Sequence, residues 1–106
     1  MAIGGDTMTS FALVFHELAT NAAKYGALST AGGQVAISWS MGEGELLIVW
    51  RERGGPAVKA APVREGFGSQ LARRSVHGQL GGQLAYDWDP DGLVVRLSVA
   101  AERLGA

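Results

Sequence analysis

Glu17, Asn21 and Lys24 are residues whose types and spacing could do chemistry. They lie in the segment HELATNAAKYGALS, from His16 to Ser29. At about 100° per residue they project in a narrow arc beside an apolar stripe. In such an arc an amide or carboxylate oxygen suits Mg²⁺ and an ammonium suits phosphate. The same spacing also describes an ordinary solvated helix face, with Glu17–Asn21 and Asn21–Lys24 as neighbours one turn apart. His16 sits about 140° from Asn21 on that wheel, outside the arc, and is expected to be a packed or hydrogen-bonded structural histidine.

Two further clusters follow. In Trp50-Arg51-Glu52-Arg53-Gly54-Gly55-Pro56 a carboxylate stands where an apolar run gives way to glycines. Such a carboxylate can accept a hydrogen bond from an exocyclic amine such as that of adenine, with glycines letting a flat ligand approach the backbone. Pairing of Glu52 with Arg51 or Arg53 at the surface explains the same residues. The third cluster, Gly66-Phe67-Gly68-Ser69, leads into a helical pattern, and backbone amides at a helix start suit a phosphate. No Gly-Lys-Ser/Thr follows it, so it is not a Walker A loop.

The elements that must carry these clusters can be read from periodicity. Phe11, Val14, Phe15, Leu18, Ala22 and Tyr25 recur at three- and four-residue steps, which predicts an amphipathic helix from about Thr9 to Tyr25 with these residues in its buried stripe. Val35, Ile37 and Trp39 alternate with small or polar residues and predict a half-buried strand, paired through Met41-Gly42-Glu43-Gly44 with the apolar run Leu46 to Trp50. The stretch from Arg53 to Glu65 reads as a loop, and a second helix is expected from about Gly68 to His77, ended by Gly81-Gly82. Leu84, Tyr86 and Trp88 alternate, Asp89-Pro90-Asp91-Gly92 turns, and Leu93 to Val99 forms a last strand. The order helix, hairpin, loop, helix, hairpin predicts an α+β fold of two layers, with helices on one face of a mainly antiparallel sheet.

Composition bounds the rest. With 106 residues, 47% apolar and 18% charged, the chain suits one domain, residues 1–106. A net charge of −1 gives no basic surface for nucleic acid. It contains no cysteine for disulfides or thiolate metal sites. Its longest apolar runs fall far below the roughly 18 residues of a membrane span, and MAIGGDTMTS lacks a signal-peptide pattern, so the expected compartment is the cytoplasm.

Taken in order, HELATNAAKYGALS, WRERGGP and GFGSQLARR resemble the N box and the two glycine boxes of sensor histidine kinase catalytic domains. More narrowly they resemble the HWE group, named for an N-box histidine and a later Trp-x-Glu, here His16, Trp50 and Glu52. The resemblance runs from roughly Ile3 to Val99. It implies the Bergerat ATP-binding fold of the GHKL superfamily, a two-layer sandwich with a mixed, mainly antiparallel sheet, and the cofactors ATP and Mg²⁺. It further implies that Asn21 coordinates Mg²⁺, that Lys24 contacts phosphate, and that Glu17 lies near the phosphates and the attacking group. Tyr25 would also line the nucleotide site. Glu52 would bind the adenine amine, with Gly54 opening space for the base, and Gly66 and Gly68 would bound the lid over the phosphates. The expected activity is transfer of the γ-phosphate to a histidine on a separate acceptor domain, which in turn serves a response regulator. Three departures accompany the match. Glu52 stands where most histidine kinases have Asp, the Pro56 to Gly66 segment is short for a lid, and the part before the first helix is brief enough to imply a missing or truncated edge strand. No acceptor motif surrounds His16 or His77, so the isolated chain is expected to turn ATP over slowly and to be a monomer. Two other readings stand beside this one: a degenerate domain of the same fold that docks a response regulator without binding ATP, and a serine kinase of the anti-sigma type.

Overall fold

The computed structural model describes residues 3–56 and 67–105. Its first element is α1, Gly5–Lys24, longer by a turn at its start than the apolar period alone indicates. Asp6 in the first turn and Lys24 in the last complement the helix dipole. Because Thr7, Ser10, Phe11, Val14, Leu18 and Ala22 fall at helical steps, α1 buries one stripe and leaves the rest wet. The start of α1 is held by the chain's last turn, a 3₁₀ turn at Ala101–Arg103. The Gly4 amide donates to the Leu104 carbonyl at 2.8 Å, and the Thr7 hydroxyl donates to the Arg103 carbonyl at 3.0 Å.

A short 3₁₀ turn, Ala27–Ser29, follows α1. The first hairpin is β1, Gln34–Gly42, with β2, Glu45–Arg53. After the segment 57–66 come α2, Phe67–Arg74, and a π-helical turn, Ser75–Gln79, whose last carbonyls accept hydrogen bonds from the Arg103 guanidinium. The second hairpin is β3, Gln83–Asp89, with β4, Gly92–Ala100. The sheet order is β1-β2-β4-β3, and each described neighbour pair is antiparallel.

Helices and sheet pack as two layers, the α+β sandwich that the element order predicts. Leu46, Ile48 and Trp50 of β2, Val95, Leu97 and Val99 of β4, and Leu84 of β3 meet Val14, Leu18, Ala72, Val76 and Leu80 from the helices. Burial of each large apolar side chain is worth about 1.5–3 kcal/mol, so this layer supplies most of the fold's stability. Two expectations need correcting. β1 is exposed along nearly its whole length, with Ile37 and Trp39 at 55% and 65% exposure, because it lies at the sheet edge beyond the reach of α1. Tyr25 is 75% exposed rather than buried in the stripe, since helical geometry stops at Lys24 and the chain turns away at Tyr25.

Candidate nucleotide site

The first two clusters lie where α1 ends and β2 runs out. Side chains alternate faces along a strand, so Trp50 and Glu52 point to the helix layer while Arg51 and Arg53 point to the opposite, open face. Glu52 is only 4% exposed, and each of its carboxylate oxygens holds a donor. Its Oε2 accepts from the Trp50 indole Nε1–H at 2.9 Å, and its Oε1 accepts from the Ala27 backbone N–H at 3.0 Å. Pairing with Arg51 or Arg53 is thereby replaced by two neutral donors in the interior. The satisfied carboxylate escapes the penalty of an unpartnered buried charge.

Gly26 completes this junction. A Cβ there would overlap Glu52 Oε1 and approach the Ala22 backbone at 3.2 Å, so only glycine lets the carboxylate reach the end of α1. The Gly26 and Tyr25 amides close the helix by donating to the Ala22 and Asn21 carbonyls. At the end of β2, Gly54 adopts φ +76°, and a Cβ on it would stand 2.6 Å from the Gly32 carbonyl oxygen. Gly54 thus has a packing reason to be glycine: backbone lies against backbone where the two loops meet. The Thr30 hydroxyl donates to the Gly54 carbonyl at 3.0 Å and ties the same loops together.

On α1 the Asn21 Nδ2 donates to Glu17 Oε1 at 3.1 Å, and both side chains are partly buried. This bond is the expected i, i+4 neighbour pair, and it fixes which way the amide faces. Lys24 lies one turn further on, exposed at the helix end. Among the sequence-derived candidates, Asn21 and Glu17 are brought into contact, and Glu52 is brought against Gly26 and Ala27. Gly68 lies in the first turn of α2, and Gly66 lies outside the described residues. His16 is exposed on α1, which removes the packed one of the two roles expected of it, because its direction on the helix points away from the sheet. Ala27 was not among the candidates. Its contribution is a backbone N–H, which no residue type announces.

The donor set bears on the cofactors that the resemblance implies. Among the described residues no group of three His, Asp or Glu side chains could cage a metal. Mg²⁺ characteristically takes one or two protein oxygens and completes its shell with phosphate oxygens and water, so a lone amide oxygen such as that of Asn21 fits its coordination. An acceptor such as Glu52 fits an exocyclic amine, because a carboxylate offers about four lone-pair positions and protein donors occupy two.

A scan against protein-family models gives no match. Among individual proteins, the chain is 40% identical over 100 residues to blue-light-activated histidine kinase 1 of Erythrobacter litoralis, covering 92% of this chain and 27% of that protein. It is 40% identical over 99 residues to a blue-light-activated histidine kinase of Brucella anthropi, covering 90% and 20%. It thus spans about a quarter or less of the curated relatives' lengths. Among solved structures, a blue-light-activated histidine kinase of Erythrobacter litoralis superposes with a TM-score of 0.79 at 24% identity, over 95% of this chain and 32% of that one. The catalytic domain of the histidine kinase ThkA superposes with a TM-score of 0.66 at 17% identity, over 88% and 67%, a likeness of fold. Over nearly its whole length the chain is thus similar in sequence to blue-light-activated histidine kinases, and it has the two-layer fold of histidine kinase catalytic domains.

Proposed function

We propose that this domain binds Mg·ATP at the junction of α1 and β2 and presents the γ-phosphate to a histidine on a separate acceptor domain. The observation that carries the reading is Glu52: a buried, hydrogen-bonded carboxylate at a strand end, beside the helix that bears Glu17, Asn21 and Lys24. Glu52 accepts the adenine amine, and Tyr25, Gly54 and Gly68 line the rest of the nucleotide. Asn21 offers its oxygen to Mg²⁺, which when bound neutralises phosphate charge. Lys24 places an ammonium against the phosphates, while Glu17 orients or deprotonates the incoming imidazole.

In the transfer itself an imidazole nitrogen bonds to the γ-phosphorus as the bridging P–O bond breaks and ADP leaves. Positioning and charge neutralisation supply most of the acceleration in such reactions, so the protein needs no covalent step of its own. The relatives are longer histidine kinases, which supports an acceptor domain elsewhere in the parent chain or in trans. The acceptor in turn serves a response regulator in this proposal. No helix among the described residues is long and apolar enough to cross a membrane. A cytoplasmic setting, where ATP is abundant, suits the proposed reaction.

The test is incubation with γ-labelled ATP and Mg²⁺, with and without an acceptor domain from one of the related kinases. Acid-labile label on the acceptor, with none on His16 or His77 alone, is the expected outcome. Acid-stable label on a serine, or brisk labelling of the isolated chain, contradicts it.

A further inference from the structure

Trp50 has more than one reason to be where it is. The ring is 5% exposed, stacks on Phe15 of α1 at 6.4 Å between centroids and 28° between planes, and pairs across the sheet with Val95. Any large apolar side chain could fill that space. Only tryptophan among the apolar ring residues brings an N–H, and a buried N–H must find an acceptor. It finds Glu52 Oε2, two residues along the same strand and on the same face. The Ala27 amide holds the other oxygen from a different element. The carboxylate is therefore gripped from two sides, with its position set by a ring that is itself packed between α1 and the sheet.

We propose that Trp50 is a positioning residue for base recognition: its indole N–H fixes the Glu52 carboxylate so that it discriminates an adenine-type amine from a carbonyl at the same position. The inference rests on the nucleotide reading above. A glutamate has three rotatable side-chain bonds, and an unrestrained one must lose that freedom whenever a ligand arrives. Restrained beforehand, it meets the ligand with less entropy still to be lost, and the bond to the amine forms at full strength. The two protein donors also leave acceptor positions directed away from them, which suit an amine and repel a carbonyl oxygen. The Trp-x-Glu spacing is thus a single device, in which the first residue aims the second.

The discriminating experiment titrates the intact chain and Trp50→Phe with ADP and with inosine diphosphate, which carries a carbonyl where ADP has its amine. The inference expects wild type to favour ADP, and Trp50→Phe to lose about tenfold in ADP affinity, the scale of immobilising one flexible side chain. Inosine diphosphate affinity should stay within about twofold on the same scale. In a Glu52→Ala background, Trp50→Phe should change ADP affinity no further. A role in core filling alone lowers both affinities together and leaves their ratio unchanged, and that result overturns the proposal. Where Trp50→Phe does not fold, the wild-type indole proton decides. Its resonance, assigned with Trp39→Phe and Trp88→Phe, should move on adding ADP and much less on adding inosine diphosphate; equal movement overturns the proposal. Wild type that binds neither nucleotide, or binds both equally, instead defeats the adenine reading beneath it.

Discussion

The C-terminal end of α1 and the groove between its middle and the sheet edge are built in opposite ways. At its C-terminal end, around Gly26, the helix meets polar groups that are buried and satisfied: Glu52, the Trp50 indole N–H and the Ala27 amide. Toward its N-terminal end, Ile3, Phe11 and Phe15 face Ile37, Trp39, Leu46 and Ile48 across an open apolar groove. The polar junction is closed by specific bonds, while Ile37 and Trp39 on the far side of the groove are left open to water. Hydrogen-bonded groups at the C-terminal end demand one geometry, whereas apolar contact at the other end is non-directional and tolerates exposure. The groove is lined by apolar side chains alone, and the residues with chemistry lie toward the C-terminal end of the helix.

That contrast can be broken by adding one methyl group. Gly26→Ala drives a Cβ into the Glu52 carboxylate and the Ala22 backbone. Combining overpacking with a displaced carboxylate, we expect a loss of about 3 kcal/mol in stability, read by urea unfolding, together with loss of nucleotide binding. An unchanged midpoint would show that the junction is softer than its geometry. Glu52→Ala should weaken ADP binding by about 2 kcal/mol, as for a bond to a charged acceptor. It should also lower stability by about 1–3 kcal/mol, because the Trp50 and Ala27 donors lose their partner in the interior.

Asn21→Ala should cost about 1 kcal/mol of stability or less, from one side-chain hydrogen bond, while abolishing the Mg²⁺ dependence of nucleotide binding. Retained Mg²⁺ dependence would move the metal to another oxygen. The smallest effect belongs to the open end. Trp39→Thr should change stability by no more than about 0.5 kcal/mol, the range of surface substitutions, while reducing binding of an apolar fluorescent dye. A loss of several kcal/mol there would mean that the groove is packed in solution.

How far these features were legible in the sequence follows the same division. The period of three and four residues located α1, which buries one stripe against the sheet, and alternation with turn residues located both hairpins. Alternation also settles Glu52: two residues from Trp50, it must share the indole's face, while Arg51 and Arg53 must not. What alternation cannot report is whether a face is covered. Val35, Ile37 and Trp39 share a face as their spacing predicts, yet Ile37 and Trp39 lie at an edge that α1 does not reach. The edge strand QVAISWSMG carries no charge or proline of the kind that usually guards such an edge. Backbone donors are equally silent. Ala27 is visible as a partner of Glu52 only once the 3₁₀ turn after α1 has been folded. Tyr25 continues the apolar period by one step, but the helix ends before it.

The most direct test of the account is calorimetric titration of the chain with ADP, with and without Mg²⁺, beside Glu52→Ala and Asn21→Ala. The account predicts one nucleotide per chain, weakened about 2 kcal/mol by Glu52→Ala and made indifferent to Mg²⁺ by Asn21→Ala. A folded wild-type chain that shows no heat of binding at millimolar ADP would contradict it.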